Sequence, residues 1–216
     1  MSRLRSPLAA IVAVALVAGI AVRVWILSGP LATLESDEAI SGLIALRMLD
    51  GEFAAMYWLS PYGGTIESAF AAIPLGLVGT SVLALKLATL SLYVAAAVLT
   101  WFVGARTVGR RAAFVAAALF WCWPPYLVWW TTKARAYYGA GLLCGLAAFL
   151  LVLRLRERDS AWDAAGLGLV LGVGWWTTPG VVVLGLPALA WLAWRRPAAY
   201  RLVPYALPAF LIGVAP

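Results

Sequence analysis

The sequence predicts an all-α polytopic membrane protein. Of its 216 residues, 64% are hydrophobic and only 12% are charged, and the mean hydropathy is +0.94. Soluble domains average about 45–50% apolar and about 25% charged residues. Eight apolar segments follow one another along the chain, roughly at 7–28, 67–79, 81–105, 112–130, 137–155, 162–178, 181–194 and from 202 to the end. Because a spanning helix needs about 20 mainly apolar residues, we predict about seven transmembrane helices plus outer-face juxtamembrane helices.

The first two segments are expected to differ in kind. Segment 7–28 follows Arg3 and Arg5 as a signal sequence would, but no small-residue cleavage site precedes the polar stretch, which favours a retained span. Segment 67–79 has only thirteen residues and contains Pro74. Apolar stretches of about 10–14 residues are typical of interfacial or re-entrant helices. We therefore predict that 67–79 does not cross the membrane.

The basic residues predict the orientation, since cytoplasmic loops carry an excess of Lys and Arg. With 67–79 outside the membrane, eleven of the sixteen basic residues fall on one side: Arg3, Arg5, Arg106, Arg110, Arg111, Arg154, Arg156, Arg158, Arg195, Arg196 and Arg201. We predict a multi-pass protein of the plasma membrane with a cytoplasmic N-terminus. Residues 1–216 form one transmembrane domain, and 29–80 form an outer-face loop.

Composition also excludes several functions. The net charge of +7 comes from arginines that flank apolar segments, so no nucleic-acid partner is expected. Two cysteines and no histidine leave almost no ligands for a zinc site. The glycines of GLGLVLGVG, 166–174, indicate close helix packing, because no strand or lysine completes a nucleotide-binding loop.

The outer-face loop opens with LESDEAISG, 34–42. Apolar spacing predicts a short interfacial helix over Ala39–Leu49. Ser36 is the expected N-cap, and Asp37 and Glu38 lie in the first turn, where the helix dipole favours negative charge. Helix capping and catalysis both explain acids at these positions. Further along the loop, Tyr57 and Trp58 are expected at the level of the lipid headgroups.

Charges of both signs gather on this face. Six of the nine acidic residues lie in the loop or at its exit: Glu35, Asp37, Glu38, Asp50, Glu52 and Glu67. The segment WWTTKARAYYG, 129–139, adds Lys133 and Arg135 together with four aromatic residues, and Lys86 is a third cation. Carboxylates, cations and aromatic rings at one membrane depth are what a site for an anionic, lipid-linked substrate requires.

These motifs resemble a known family. An acidic pair after the first span (Asp37, Glu38), a Tyr-Gly-Gly-x-x-Glu segment (Tyr62 to Glu67) and an Ala-Arg-x-Tyr segment (Ala134 to Tyr137) are similar to the N-terminal half of GT-C glycosyltransferases. The resemblance is to the branch that uses polyprenyl-phosphate sugars and includes protein O-mannosyltransferases and lipid A aminoarabinose transferases. WWTTPGVVVLGLPAL, 175–189, also resembles a helix pair of that membrane core.

The resemblance implies an incomplete GT-C-like membrane core. Members of the branch are longer and add further spans and an outer-face C-terminal domain. The chain is therefore expected to lack the soluble domain and to be an inactive fragment when isolated. The implied reaction is an inverting transfer of a sugar from a polyprenyl-phosphate carrier to a hydroxyl of a protein, glycan or lipid acceptor. The resemblance makes Asp37 the essential residue and Glu38 its companion.

The chemistry explains these residue types. A carboxylate within hydrogen-bond reach can take the proton of an acceptor hydroxyl, which we expect of Asp37. A positioned cation stabilises the departing phosphate. The predicted substrate-binding residues are Tyr62, Gly63, Gly64, Glu67, Lys86, Lys133, Arg135 and Tyr138. Asp37 and Glu35 also offer oxygen ligands for Mg²⁺ or Mn²⁺, and the sequence leaves the choice between metal and cationic side chains open.

Two other classes fit parts of the pattern. A transporter would place ionisable residues near the bilayer midplane, whereas here they gather at the outer surface. A noncatalytic scaffold or lipid-carrier-binding protein could use every one of the same residues to bind lipid without turnover. Dependence of sugar transfer on Asp37 separates the enzyme from the scaffold.

Overall fold

The computed structural model describes residues 5–216, and the described chain is helical. Its ten α-helices are α1 Arg5–Ser28, α2 Ser36–Leu49, α3 Ile66–Val78, α4 Val82–Thr107, α5 Arg110–Cys122, α6 Pro125–Trp130, α7 Tyr138–Glu157, α8 Ala161–Thr177, α9 Val182–Arg195 and α10 Val203–Val214. Three short 3-10 helices connect some of them. Within residues 5–216 no strand forms, and β pairing is limited to a bridge between Met56 and Gly64. The predicted all-α class is confirmed.

Among residues 5–216, four helical stretches are long and apolar enough to cross a membrane: Ala9–Ser28, Val82–Thr107, Tyr138–Glu157 and Pro197–Val214. The predicted count of about seven spans is not supported. Segment 112–130 is divided between α5 and α6, because Pro124 and Pro125 lack the backbone donor that a continuing helix needs. Proline also lies inside α9, which has 14 residues, and α8 has 17.

Small residues set the packing between helices. Gly168, Gly172 and Gly213 bring α8 and α10 into backbone contact, as glycine does between membrane helices. Alanines and leucines of α7, α8 and α9 form one buried cluster, and α2, α3 and α4 form another. Large apolar side chains such as Leu77 and Val183 lie on the outside. The exterior is therefore suited to hydrocarbon.

Helix α7 separates two chemically different ends of the bundle. At its C-terminal end, Arg154 and Arg158 pair with Asp163 at 2.7 and 3.0 Å. At its N-terminal end, the backbone N–H of Ala140 donates to Glu67 at 3.2 Å. A helix of 20 residues is about 30 Å long, which is about the thickness of the hydrocarbon core of a bilayer.

The acidic segment forms the predicted short helix, but the helix begins earlier than predicted. Helix α2 begins at Ser36, three residues before the predicted Ala39, and Glu35 is its N-cap in place of the predicted Ser36. The backbone N–H of Glu35 donates to the Glu38 carboxylate at 3.1 Å. Helix α3 coincides closely with predicted segment 67–79. Tyr57, expected among headgroups, is instead buried at 5% exposure.

Candidate functional site

Glu38 lies at the centre of a buried ion-pair network. Its side chain is fully buried, and Oε1 accepts hydrogen bonds from the Lys86 ammonium group and from the backbone N–H of Ala134, the latter at 2.8 Å. The Oε2 atom accepts from the backbone N–H of Glu35 and lies 3.7 Å from Lys133 Nζ. Because removal of water from a carboxylate is costly, this full set of partners is what keeps the charge inside.

Glu35 extends the network toward the surface. One oxygen lies 2.9 Å from Lys133 Nζ, and the other accepts a hydrogen bond from Arg135. The hydrogen bond from Lys133, assisted by Arg135, holds the pKa of the Glu35 carboxyl below its ordinary value, against the opposing effect of partial burial. Glu35 is therefore an anion bound between two cations.

The three cations differ in access. Lys86 and Lys133 are 1% and 2% exposed, and Lys133 also donates to the carbonyl of Thr33 at 3.2 Å. Arg135 is 19% exposed at its side chain, and its buried Nε has no hydrogen-bond partner among the described residues. Of these three side chains, Arg135 is the most exposed.

Asp37 stands next to this network but outside it. The residue is exposed, and its carboxylate takes part in no ion pair or hydrogen bond within residues 5–216. Its backbone carbonyl accepts a 2.6 Å hydrogen bond from the buried Tyr57 hydroxyl, which also lies 3.2 Å from Ser41 Oγ. Burial raises the pKa of Tyr57, so its hydroxyl remains a donor. The first turn of α2 is thus anchored while the Asp37 side chain is exposed.

A row of aromatic rings extends from Arg135 through Trp130, Tyr138 and Tyr137 to Tyr62. Ring centroids are 5.5 Å apart for Trp130 and Tyr138, 5.0 Å for Tyr138 and Tyr137, and 5.6 Å for Tyr137 and Tyr62. The Arg135 guanidinium lies 4.5 Å from the Trp130 centroid. Tyr62 and Tyr138 are about half exposed, and Tyr137 is buried. The predicted residues Tyr62 and Tyr138 therefore expose part of their rings along this row.

The predicted glycine pair serves packing. Gly63 has φ +104°, and a Cβ there would overlap the Tyr137 ring, so both its conformation and its surroundings favour glycine. A Cβ on Gly64 would lie 2.7 Å from the Trp176 ring. The Gly64 N–H also donates to Thr177 of α8 at 3.1 Å, and Trp176 Nε1 donates to Ala55 at 2.9 Å. Contact of these glycines with substrate stays a prediction.

Glu67, in the first turn of α3, contacts the N-terminus of α7. The side chain is 3% exposed, Oε2 accepts from the N–H of Ala140, and the buried Oε1 has no partner among the described residues. Burial raises the pKa of the Glu67 carboxyl to about 8, although the backbone donors of α7 oppose the rise. Glu67 is too deeply buried to meet a substrate directly in this arrangement.

The donor set does not fit the predicted metal. In the described part of the chain no group of three or more Asp, Glu, Cys or His side chains is arranged to hold an ion. Both Glu35 oxygens already bind cationic side chains. A divalent ion shared by Asp37 and Glu35 would have to displace Lys133 and Arg135, so the geometry favours cationic side chains in place of a metal.

Three contributors to the site carry no recognisable motif. Tyr57 and Ser41 position the first turn of α2, and Ser41 also accepts from the N–H of Ala136 at 3.2 Å. Trp176 holds the loop between α2 and α3 to α8. Their contacts join residues far apart in the chain, which no local pattern reveals.

Comparisons with protein-family models, with curated proteins and with solved structures gave no match.

Proposed function

We propose that the chain is the catalytic core of a membrane glycosyltransferase of the GT-C type, which transfers a sugar from a polyprenyl phosphate to an acceptor hydroxyl. The observation that carries the proposal is the contrast between two adjacent acids. Glu38 is buried and fully paired, whereas Asp37 is exposed, without an ion pair among residues 5–216, and its backbone carbonyl is held by the Tyr57 hydroxyl. An exposed carboxylate on a rigid support is suited to general-base catalysis.

The bond changes follow from this placement. The acceptor hydroxyl oxygen attacks the anomeric carbon of the donor, and the Asp37 carboxylate takes the hydroxyl proton. The bond between the anomeric carbon and the phosphate oxygen breaks, and that oxygen keeps the electron pair. Arg135 stabilises the charge that grows on the phosphate. Attack opposite the leaving phosphate inverts the anomeric centre.

Glu38 takes a positioning role in this proposal. Its oxygens hold Lys86 and the backbone of Ala134, and Lys133 lies nearby. These contacts join the first turn of α2 to the segment that carries Arg135. The base and the phosphate-binding cation are therefore held together through Glu38 and Glu35.

The proposal includes the membrane arrangement. The protein would lie in the plasma membrane with its N-terminus in the cytoplasm and with α2, α3 and the connecting loop on the outer face. The separation of about 30 Å between the acidic end and the arginine-rich end of α7 supports this placement. The stretch 110–130, which comprises α5 and α6, together with α8 and the stretch 179–195, would complete a core of about seven crossings.

The direct experiment compares Asp37→Asn with Asp50→Asn. Both substitutions exchange an exposed carboxylate for an amide, in the first turn of α2 for Asp37 and at its C-cap for Asp50. Transfer of radiolabelled sugar from polyprenyl-phosphate donors is measured in membranes that contain the longest version of the protein. We expect Asp37→Asn to reduce transfer about 100-fold or more, as loss of a general base does, and Asp50→Asn to retain it.

Equal transfer by the two variants would reject Asp37 as the base. Thermal unfolding and donor binding, measured on the same samples, separate lost chemistry from lost folding. The second candidate function is a noncatalytic lipid-carrier-binding protein. It is favoured by the burial of Lys86 and Lys133 in pairs that are complete without substrate. Donor binding without transfer by the wild-type protein would support it.

A further inference from the structure

An apolar groove lies between α8, α9 and the start of α10, near the C-terminal end of α7. Its volume is about 310 Å³, at the lower end of the range of about 300–1,000 Å³ that is typical of ligand pockets. The lining side chains come from all four helices and from the connecting segment Pro197–Leu202. They include Leu155, Leu167, Leu192, Pro197, Tyr200 and Val203. Because these side chains are mainly hydrocarbon, the groove is suited to an acyl chain.

The carboxylates near this groove are already paired. Three of them lie between the end of α7 and the first turn of α8, and each contacts arginine: Glu157, Asp159 and Asp163. Asp163 binds Arg154 and Arg158 together, at 2.7 and 3.0 Å. Arg196 pairs with Asp159 at 2.9 Å and donates to the carbonyl of Leu155, a residue that lines the groove. Three negative charges are thus shared among four arginines.

Two further arginines have no carboxylate partner within residues 5–216. Arg195 ends α9, three residues after the groove residue Leu192, and therefore lies on the same side of that helix. Arg201 lies between Tyr200 and Leu202, both of which line the groove. Both arginines are exposed, so a phosphate can reach them without breaking an ion pair.

Exposed aromatic residues lie beside these two arginines. Trp194 and Tyr200 are 74% and 68% exposed, and Arg195 Cζ lies 4.8 Å from the centroid of the Trp194 ring. Tryptophan and tyrosine are enriched where a membrane meets water, which places the arginines at the depth of lipid headgroups. From Tyr200 the groove continues along the candidate span Pro197–Val214 as far as Ala206. Its mouth is therefore charged, and its length follows a membrane-facing helix.

We infer that this groove binds an anionic phospholipid, with its phosphate at Arg195 and Arg201 and one acyl chain beside Leu192 and Val203. Arginines without carboxylate partners at the mouth of an apolar groove are complementary to a headgroup of net negative charge. The choline group of a zwitterionic lipid would instead bring a further positive charge next to the arginines. The inference needs only that the protein lies in a membrane, and it does not rest on sugar transfer.

Lipid selectivity tests the headgroup assignment. The protein is purified in a mild detergent that contains equal amounts of phosphatidylglycerol and phosphatidylcholine, and the retained lipids are counted by native mass spectrometry. Arg195→Gln/Arg201→Gln removes both charges at the mouth of the groove. Arg106→Gln/Arg110→Gln is the matched control, since these arginines are also exposed, have no carboxylate partner among the described residues, and do not line this groove.

A second pair of variants tests the acyl chain. Val203→Trp puts a large ring into the groove, because Val203 lines it and is 51% exposed. Val183→Trp is the matched control, since Val183 is 72% exposed on α9 and lies outside the groove. Thermal unfolding of each variant is measured first, and the arginine variants, which alter only exposed side chains, keep the test valid if Val203→Trp does not fold.

We expect the wild type to retain phosphatidylglycerol about tenfold over phosphatidylcholine, and Arg195→Gln/Arg201→Gln to lose this preference. Val203→Trp should weaken retention of phosphatidylglycerol about tenfold, and both controls should match the wild type. Equal retention of the two lipids by the wild type, or an equal loss in a groove variant and its control, would overturn the assignment. Displacement of phosphatidylglycerol by glycerol 3-phosphate would also overturn it, since the acyl chain would then contribute nothing.

Discussion

At the scale of single residues, adjacent acids have opposite surroundings. Asp37 and Glu38 follow one another at the start of α2, and a helix turns by about 100° per residue. Glu38 therefore points into the bundle toward Lys86, and Asp37 points outward. Glu38 is therefore a buried structural residue, whereas the Asp37 carboxylate is exposed to solvent.

The first prediction concerns Glu38. Glu38→Gln leaves the ammonium group of the buried Lys86 without its carboxylate, and loss of one partner of a buried pair costs about 3–5 kcal/mol. We expect a large fall in the thermal unfolding temperature in detergent, whereas Asp37→Asn should unfold like the wild type. The double variant Glu38→Gln/Lys86→Gln should recover part of the loss. A Glu38→Gln protein as stable as the wild type would contradict the network.

The second prediction concerns Glu67, which lies in α3 and outside the four candidate spans. Burial raises its folded-state pKa from 4.5 to about 8. The folded state therefore binds more protons than the unfolded state between these two pH values, and stability falls as pH rises through this window. Below it both states are protonated, and above it the loss is complete.

Glu67→Gln should remove this pH dependence, because the amide keeps the shape of the side chain and does not titrate. Unfolding temperatures of the two proteins, measured from pH 4.5 to pH 8.5, check the prediction. The wild type should lose stability relative to Glu67→Gln across the window. Parallel profiles would show that the Glu67 carboxyl titrates at its ordinary pKa.

Several of these residue roles were open to sequence reasoning. The helix that carries Asp37, the cations Lys133 and Arg135, and the aromatic residues near them were all predicted from local composition and spacing. The partners were not. The contact of Glu38 with Lys86 joins residues 48 positions apart, and no local pattern specifies it.

At the scale of helices, small residues decide which elements meet. The glycines of α8 were predicted to serve close packing, and the structure shows that the partner is α10. A Cβ on Gly168 would overlap the backbone oxygen of Ala206, whereas one on Gly166 would lie 3.7 Å from Leu151, an ordinary contact. Two glycines in one helix therefore have different tolerance to substitution.

The third prediction follows from this difference. Alanine favours a helix by about 1 kcal/mol over glycine, so Gly166→Ala should leave the unfolding temperature unchanged or raise it. Gly168→Ala should lower it, since α8 and α10 must move apart. The comparison needs only thermal unfolding of the two variants. If Gly168→Ala is as stable as Gly166→Ala, the contact between α8 and α10 is not as close as described.

Proline explains the main departure from the predicted elements. Residues 112–130 are apolar throughout much of their length, which predicted one span, but Pro124 and Pro125 end α5 and start α6. Hydropathy measures the environment of a segment and is insensitive to such a break.

At the scale of the whole molecule, buried or partly buried ion pairs lie at both ends of α7. The acidic network lies at the N-terminal end of α7, and ion pairs of Arg154, Arg158 and Arg196 lie at its C-terminal end. The orientation in the membrane itself remains a prediction.

The fourth prediction tests that orientation. Leu59, 94% exposed in the loop before α3, and Trp162, 88% exposed at the start of α8, lie toward opposite ends. Each is replaced by cysteine in a protein whose Cys122 and Cys144 are alanine. An impermeant maleimide should label Leu59→Cys in intact cells and Trp162→Cys only after permeabilisation. The reverse pattern would place the acidic loop in the cytoplasm.

The sequence by itself determined the helical class, the suitability for a membrane, the segments that become α1, α3, α4 and α7, and the residue types of the candidate site. Hydropathy, charge and helical spacing are local properties, and they suffice for these features. The tertiary structure alone decided which acid is buried and which cation is the most exposed. These features depend on contacts between helices distant in the chain, where side-chain volume and the cost of burying charge select one arrangement.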